Sequence, residues 1–246
     1  LGKLVNNLKD EDEIKQFLKI VVKAEGLIEN VSTKESKNSP SPPYITSSLQ
    51  QDASSILGMS PKRCMMVAQS LYEKQKTTYM RTDCRILSPE VREDISKYVH
   101  HKFGKEYYKS REYKNKIQNA QEAHEAIRPV DINVSDLSNL SEMSYDENRL
   151  YKLIWKQTIM SQMSDKITKV LNIDIILKLV RKKTLYNKYK YKSSFDQIIF
   201  PGYSILNGVK ADNGNKLKTI QKKIKKDSIH KCITTTITEN FTKAKG

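Results

Sequence analysis

Apolar residues recur at helical spacing near the start of the chain. Residues 10–24 repeat them every three or four positions, which predicts a short amphipathic helix that ends at Gly26. Residues 27–31 hold Leu, Ile and Val and indicate a strand. The stretch 32–43, STKESKNSPSPP, has no apolar side chain other than its prolines, so it predicts a linker.

A helical pattern continues through residues 44–163. Ser-Pro pairs at 60–61 and 88–89 each join an N-cap residue to a proline at the first helical position, so each predicts a helix start. The second of these helices is predicted to end at Gly104, and a further amphipathic helix spans 146–163. The buried face of the first is predicted to carry Met65, Ala68, Leu71 and Tyr72.

Beyond Met163 the apolar positions alternate with polar ones. Runs at 170–179 and 229–237 show this period of two, which is typical of strands, and turn signals lie between them at 201–202 and 213–214. The order is therefore a β-containing start, a helical middle and a β-rich end. We predict an α+β fold in which a helical domain is inserted into a β domain.

The charge balance favours a polyanionic partner. Lys and Arg number 44 against 28 Asp and Glu, which gives a net charge of +16. Nucleic acid is the usual polyanion bound by such a chain. A solubilising, lysine-rich surface explains the same charge without any partner. The three cysteines lack the spacing of a zinc site or a disulfide framework.

The segment TYMRTD at 78–83 carries the most specific chemistry. A phenol is a weak nucleophile at neutral pH because its ordinary pKa is about 10. A guanidinium two residues away, as Arg81 is from Tyr79, favours the phenolate and can hold a phosphate oxygen. The pair therefore suits attack on a phosphodiester, and Asp83 can orient Arg81. The alternative is a packed aromatic residue beside a surface charge.

Two other segments add polar groups. In NAQEAHEAIRP, residues 119–129, we predict a short helix over 119–127 on which His124 lies close to Glu125 and Arg128. A histidine can donate to a phosphate, but a lone one is more often structural. Residues 105–116 alternate basic and aromatic side chains, which suits single-stranded nucleic acid or a solvated loop.

Taken together, the motifs resemble one family, the type IA DNA topoisomerases. The resemblance rests on PPYITSSLQQ at 42–51, LYE at 71–73 followed by TYMRTD at 78–83, and QEAHEAIRP at 121–129, in the family's order. Met80 points to the bacterial topoisomerase I branch. Weaker matches fall at 150–163, 200–203 and 241–243.

This resemblance implies a mechanism and a set of site residues. Tyr79 would cleave one DNA strand through a 5′-phosphotyrosyl bond, and the enzyme would relax negative supercoils without ATP. Arg81 and His124 are the other expected catalytic residues. The residues expected to bind DNA or support the site are Thr78, Thr82, Asp83, Glu122 and Arg128.

A toroidal fold is also implied, with a helical cleavage domain set in a β-rich arch. We place the first arch segment at 1–45, the cleavage domain at 46–165 and the returning arch at 166–246. The expected substrate is single-stranded DNA in negatively supercoiled duplex. The family's Mg²⁺ ligands lie on a Toprim domain, which nothing here resembles, so a Toprim-bearing polypeptide is the expected partner if the gene is split. The expected location is the bacterial cytoplasm or an organelle of bacterial origin.

Three departures from the family pattern surround the motif. Cys84 replaces the usual Ser, Thr77 replaces a small apolar residue, and Lys-Gln-Lys at 74–76 replaces a Gly-containing turn. With no Toprim domain and no downstream motif, we expect a central fragment of the enzyme with doubtful activity alone. The alternative is a non-catalytic remnant that binds single-stranded DNA.

Overall fold

The computed structural model describes two compact units. Residues 3–5, 8, 10–114, 125–179, 185–212 and 214–231 are described. The β unit contains 1–36, 168–198 and 212–246, and the helical unit contains 37–167 and 199–211. Within the described residues, no helix has the length and apolar character needed to cross a membrane.

The described residues form six α-helices and five strands, of which three are long. In chain order they are β1 (Lys3–Leu4), α1 (Glu11–Val21), β2 (Ala24–Asn38), α2 (Thr46–Leu57), α3 (Pro61–Glu73), α4 (Pro89–Phe103), α5 (Tyr145–Ser161), β3 (Lys166–Leu179), β4 (Leu185–Phe200), α6 (Lys216–Lys223) and β5 (Ile229–Lys231). The strands form one sheet in the order β1-β4-β3-β2-β5. Both pairs whose register is defined, β1 with β4 and β2 with β5, are antiparallel.

The predicted N-terminal helix is confirmed as α1. Asp10 caps it by accepting a 2.7 Å hydrogen bond from the Glu13 amide. Phe17 is buried against Tyr189, with the two ring centroids 5.0 Å apart in an edge-to-face arrangement. Gly26 does not end the helix as predicted, because the chain is already in β2 from Ala24 and Gly26 pairs with His230 of β5.

The predicted linker at 32–43 is wrong over its first seven residues. Residues 32–38 continue β2, and all but residue 36 of them are exposed. β5 pairs only with residues 25–27, so this end of β2 extends past β5. A strand exposed in this way has no buried side chains to produce an apolar alternation, which is why the sequence pattern did not reveal it.

Three elements of the β unit, β1, β4 and α6, were not predicted. The middle of β4 reads YNKYKYK, in which lysines mask the alternation, and α6 is a short lysine-rich helix. The predicted strand over 229–237 begins as β5, and its residues after 231 lie outside the described part of the chain.

Four helices build the core of the helical unit. The predicted starts are confirmed: Ser60 and Ser88 each cap a helix whose next residue is proline, and Gly104 follows the end of α4. The third predicted helix is α5. In α3 the residues at the core are Cys64, Val67, Ala68 and Leu71. The prediction that Tyr72 is buried is wrong, since 41% of it is exposed.

The two compact units do not coincide with the sequence-based limits, because residues 37–45, 166–167 and 199–211 all cluster with the helical unit. Residues 199–211 were placed with the β-rich part, but they belong to the helical unit. Tyr203, Ile205 and Leu206 pack against the helical core, and Phe200 lies 4.7 Å from Tyr107 between ring centroids. The domain limits 1–45, 46–165 and 166–246 stay predictions.

A buried carboxylate ties the end of α3 to the start of α5. Glu147 accepts hydrogen bonds from Lys74 at 2.7 Å and Ser70 at 2.6 Å, and its second oxygen accepts from the Ser144 amide. Burial pushes the pKa of the Glu147 carboxyl upward. Hydrogen bonds, chiefly from Lys74 and Ser70, outweigh that effect and hold the pKa at about 2.

The turn after α3 requires an unusual backbone. Gln75 has a φ of 56°. Its amide bonds the Tyr72 carbonyl, and the Lys76 amide bonds the Leu71 carbonyl, both at 2.8 Å. This is the Schellman arrangement, in which glycine is preferred at the position Gln75 occupies. The turn at 74–76 therefore adopts a conformation that favours glycine although no glycine is present.

We predict that Glu147→Gln lowers the free energy of unfolding by about 2 kcal/mol at neutral pH, because the ion pair with Lys74 is lost. The loss is limited to this size because Lys74 is partly exposed and solvent screens part of the interaction. The folded pKa lies below its ordinary value of 4.5. The contribution is therefore present above that pH and lost as pH falls toward the folded pKa. Urea unfolding from about pH 7 down to about pH 3 should show the gap between wild type and variant shrinking.

The matched control for this experiment is Glu93→Gln. Glu93 pairs with Lys97 at 2.8 Å, but both side chains are about two-thirds exposed. Its loss should change the stability by at most about 0.5 kcal/mol at any pH. Equal effects of the two substitutions would contradict the assignment of a buried network to Glu147.

We predict that Gln75→Gly raises the free energy of unfolding by about 0.5–1 kcal/mol, because a side chain in the left-handed region is strained. Gln75→Ala keeps the Cβ atom and should give no such gain. Thermal denaturation of the three proteins measures the difference. A stabilisation by alanine equal to that by glycine would show that backbone strain is not the cause.

Candidate active site

The segment between α3 and α4 carries the predicted motif and alternates in burial. Tyr79, Arg81 and Asp83 are exposed. The residues between and after them, Met80, Thr82 and Cys84, are buried. Alternation with a period of two places the three exposed side chains toward solvent while the other three anchor the segment in the protein.

Thr46, the first residue of α2, holds one part of this segment. Its hydroxyl donates to the Met80 carbonyl at 2.8 Å, with the Thr82 carbonyl also within reach at 3.1 Å, and it accepts from the Thr82 amide at 3.0 Å. Its own amide donates to the Thr82 carbonyl at 2.9 Å. A single side chain thus satisfies the backbone on both sides of Arg81.

Thr78 holds the preceding part against residues 126–130. Its hydroxyl donates to the Ala126 carbonyl at 2.8 Å and accepts from the Arg128 amide at 2.9 Å. The Thr78 amide donates to the Arg128 carbonyl at 2.9 Å. A bridge between Thr77 and Pro129 continues the pairing. The predicted supporting role of Thr78 therefore has a structural basis in these bonds.

Predicted residues of the histidine motif fall partly outside the described chain. His124 and Glu122 lie in the undescribed stretch 115–124, as does most of the helix predicted over 119–127. Arg128 is described, and its guanidinium bonds Glu125 at 2.6 and 2.9 Å. Residues 126–128, at the end of the histidine motif, form hydrogen bonds with Thr78. The end of this motif therefore helps to anchor the segment that carries Tyr79.

Among the described residues, Tyr79 has one aromatic neighbour. Its ring centroid lies 5.3 Å from that of Tyr72, at an interplanar angle of 67°. The two side chains are about equally exposed, at 39% and 41%. Edge-to-face contact of this kind restricts the ring without covering its hydroxyl.

Arg81 and Asp83 line a cleft at the start of α2. The cleft has a volume of about 530 Å³, and its walls are Ile45, Thr46, Ser47, Gln50, Met65, Arg81, Thr82 and Asp83. Among the described residues, neither the Arg81 guanidinium nor the Ser47 amide has a hydrogen-bonding partner. A helix N-terminus with a free amide beside an unpaired guanidinium attracts anions, phosphate included.

The basic and aromatic stretch at 105–114 is largely used within the protein. The Arg111 guanidinium bonds Asp165 at 2.6 Å, and the Tyr113 hydroxyl donates to the Ser161 carbonyl at 2.9 Å. The Tyr108 hydroxyl donates to the Arg92 carbonyl at 3.3 Å. These contacts leave few rings free to stack on bases, and they weaken the predicted single-strand-binding role of this stretch.

The described side chains do not fit a bound metal ion. No group of three or more His, Cys, Asp or Glu side chains converges anywhere in the described ranges. Asp83 is a lone carboxylate at the cleft, whereas Mg²⁺ in proteins is held by carboxylates together with phosphates or waters. A metal ion that serves this cleft would therefore need most of its ligands from other groups.

Comparison with known proteins decides the family. A family model described as DNA topoisomerase matches residues 2–246. This chain belongs to the type IA DNA topoisomerase family. The resemblance seen in its motifs is confirmed, since the match spans nearly every residue.

Individual topoisomerases agree with this assignment. The chain is 40% identical over 200 residues to the prokaryotic-type DNA topoisomerase 1 of Acanthamoeba polyphaga mimivirus, covering 81% of this chain and 23% of that protein. It is 35% identical over 223 residues to DNA topoisomerase 1 of Campylobacter jejuni, covering 84% of this chain and 32% of that protein. The solved structure of full-length topoisomerase I from Thermotoga maritima matches with a TM-score of 0.71 and 27% identity, over 94% of this chain and 36% of that one.

The chain spans about a quarter to a third of the curated relatives it matches. The predicted mixture of helices with an antiparallel sheet is confirmed by the structural match. The structure brings Arg81, Thr82 and Asp83 to one cleft, whereas Tyr79 lies beside Tyr72.

Two residues that contact the segment at 78–83 escaped prediction from the sequence. Thr46 stands in the junction motif at 42–51, where its polar character was visible but its partner 36 residues away was not. Tyr72 was assigned to the core by helical spacing, and no local signal shows that its ring meets Tyr79. The contact of Thr46 is long-range, and the contact of Tyr72 with Tyr79 depends on the turn between them. Both arise only when α2 and α3 pack in the folded protein.

We predict that Thr46→Val destabilises the protein by about 1–3 kcal/mol, because it removes the hydroxyl and leaves the Thr82 amide with a weaker set of partners. Amide hydrogen exchange at Thr82 should accelerate, as measured by NMR. Thr46→Ser keeps the hydroxyl and should retain most of the protection. Equal protection in the valine and serine variants would contradict the anchoring role.

Proposed function

We propose that this chain supplies the strand-cleaving tyrosine of a type IA DNA topoisomerase, and that Tyr79 is that tyrosine. One observation carries the proposal: the threonine-anchored segment exposes Tyr79 together with Arg81, which has no partner among the described residues and lines an anion-attracting cleft. Membership of the family supplies the reaction class. The proposed domain arrangement is a helical cleavage domain inserted in a β-rich arch of a toroidal enzyme.

The proposed reaction is a transesterification. The Tyr79 oxygen bonds to a backbone phosphorus, the bond from that phosphorus to the 3′ oxygen breaks, and the phenolic proton leaves to solvent. The 3′ oxygen takes up a proton and departs as a hydroxyl, leaving a 5′-phosphotyrosyl link. Reversal of the step reseals the strand, so no ATP is consumed.

Arg81 is the group best placed to bind the phosphate. Its guanidinium has no partner among the described residues and lines the cleft with the start of α2. A planar cation there can hold one phosphate oxygen and stabilise the negative charge that grows during attack. Asp83 lines the same cleft and is proposed to orient Arg81, while Thr78 and Thr82 fix the backbone.

Other parts of the reaction rest on the family resemblance. His124 is proposed to contact a neighbouring phosphate, with Glu122 and Arg128 in support. Mg²⁺ is proposed to act from a Toprim domain on the same or another polypeptide. The substrate is proposed to be single-stranded DNA in negatively supercoiled duplex, in the bacterial cytoplasm or an organelle of bacterial origin.

A second candidate is a non-catalytic protein that binds single-stranded DNA. The observation that favours it is the exposed ring pair of Tyr72 and Tyr79, in the same segment of chain as the unpaired Arg81. Exposed rings and a cation can stack on bases and hold phosphates without any chemistry. This candidate differs from the first in forming no covalent bond, so a search for a Tyr79-linked adduct separates the two.

We predict that Tyr79→Phe abolishes the covalent adduct, because phenylalanine lacks the attacking oxygen. The protein is combined with a Toprim-bearing polypeptide of a relative, Mg²⁺ and a single strand labelled at its 3′ end. Denaturing gel electrophoresis then detects label on the protein. The label must be on the 3′ side because the proposed bond is to the 5′ phosphate of that fragment.

Tyr72→Phe is the matched control, since Tyr72 is the neighbouring ring and is equally exposed. It should retain the adduct. Adduct formation by the Tyr79→Phe variant would overturn the assignment of the nucleophile. Single-strand binding without an adduct in the wild-type mixture would favour the non-catalytic candidate.

A further inference from the structure

The helix α6 presents a dense set of unpaired lysines on the β unit. Six lysines within residues 216–226 are exposed, and none has an ion pair among the described residues. They are Lys216, Lys218, Lys222, Lys223, Lys225 and Lys226. No acidic residue falls between the first and the last of them.

Three of these lysines share one groove. Lys218, Lys222 and Lys225, which we call the lysine groove, line a cleft of about 370 Å³ together with Gln221. The spacing of four residues places Lys218 and Lys222 on one side of α6, and Lys225 follows the end of the helix at the same cleft. Among the described residues, these four line the cleft, and none of them is a carboxylate that would offset its positive charge.

The opposite side of α6 is held firmly on the sheet. Leu217 is buried with Ile28 and two residues of β3, and Ile220 and Ile224 pack against the same cluster. Gln221 donates to the Thr33 hydroxyl of β2 at 2.9 Å. These contacts fix the direction in which the lysine groove faces.

Both ends of the helix are also tied to neighbouring strands. Before α6, the Asp212 carboxylate accepts from the Ile198 amide at 2.9 Å, and Gln197 donates to the Asp212 carbonyl at 3.0 Å. After α6, the Asp227 amide donates to the Ile28 carbonyl at 2.9 Å. A rigid platform of this kind lowers the entropy lost when a ligand is bound.

We propose that the lysine groove binds the phosphate backbone of duplex DNA, as a contact separate from the cleft that holds Arg81. Lysine ammonium groups are point charges that bind phosphates without reading bases. Residues 211–231 contain no Phe, Tyr or Trp, so the groove lacks the rings on which single strands stack. Duplex DNA is therefore favoured over a single strand. The choice of DNA rests on the proposed function.

The test replaces all three lysines of the groove by glutamine in the full chain. Binding of a short labelled duplex, and of a labelled single strand of the same length, is measured by fluorescence anisotropy over a range of salt concentrations. We expect the duplex affinity to fall about tenfold or more. The slope of log affinity against log salt should decrease in magnitude by about 2–3 for three lost phosphate contacts.

The control removes the same number of positive charges elsewhere in the same unit. Lys15, Lys19 and Lys23 lie on and just after α1, where Lys15 pairs with Glu11 at 2.8 Å. Changing these three to glutamine should alter duplex affinity by no more than about threefold and leave most of the salt slope. Circular dichroism should show both variants folded, since every substituted side chain lies at the surface.

Three outcomes would overturn the proposal. One is equal loss of duplex affinity in the two triple variants, which would assign the effect to net charge. Another is an unchanged salt slope in the groove variant. The third is a loss of single-strand affinity as large as the loss for duplex. The adduct assay on Tyr79 is independent, so failure of the proposed cleavage function and failure of the groove are distinguishable.

Discussion

The hydroxyl groups of Thr46 and Thr78 carry the constraint on which the candidate site depends. The segment at 76–87 has no regular secondary structure that would satisfy its backbone. Buried peptide groups must find partners, and these two side chains supply several of them at once. The start of α2 and residues 126–130 thereby hold the segment from two directions. Tyr79 is left exposed on a backbone that is fixed on both sides.

Because Thr46 and Thr78 anchor the segment, Arg81 is not needed to hold its backbone in place. Arg128 and Arg111 each bond a nearby carboxylate, at Glu125 and Asp165, and those guanidinium groups stabilise the fold. Arg81 has no such partner among the described residues and faces a cleft instead. An exposed cation beside a helix N-terminus attracts anions, which is the arrangement expected at a phosphate site.

Local signals predicted the helices well and the strands less well. Ser60, Ser88 and Gly104 mark helix ends through bonds that lie within a few residues, so they can be recognised from sequence. β2 beyond residue 31 and β4 escaped because polar and lysine-rich strands show no apolar alternation. Likewise the motif at 78–83 identified the exposed residues, but Thr46 and Tyr72 act through contacts set only by tertiary packing.

The net charge of +16 can be interpreted only when the charged residues that produce it are located in the structure. In the helical unit several basic side chains are neutralised internally, as Lys109 and Arg111 are by Asp165. Burial raises the pKa of the Asp165 carboxyl, but hydrogen bonds from Ser39 and Lys109 and the charge of Arg111 outweigh it and lower the pKa to about 2. The lysines of α6 have no such partners within the described chain. A field that attracts a polyanion is produced by the unpaired charges, not by the total. Arg81 at the cleft and the lysine groove are two places in the described chain where such unpaired charge lines a concave surface.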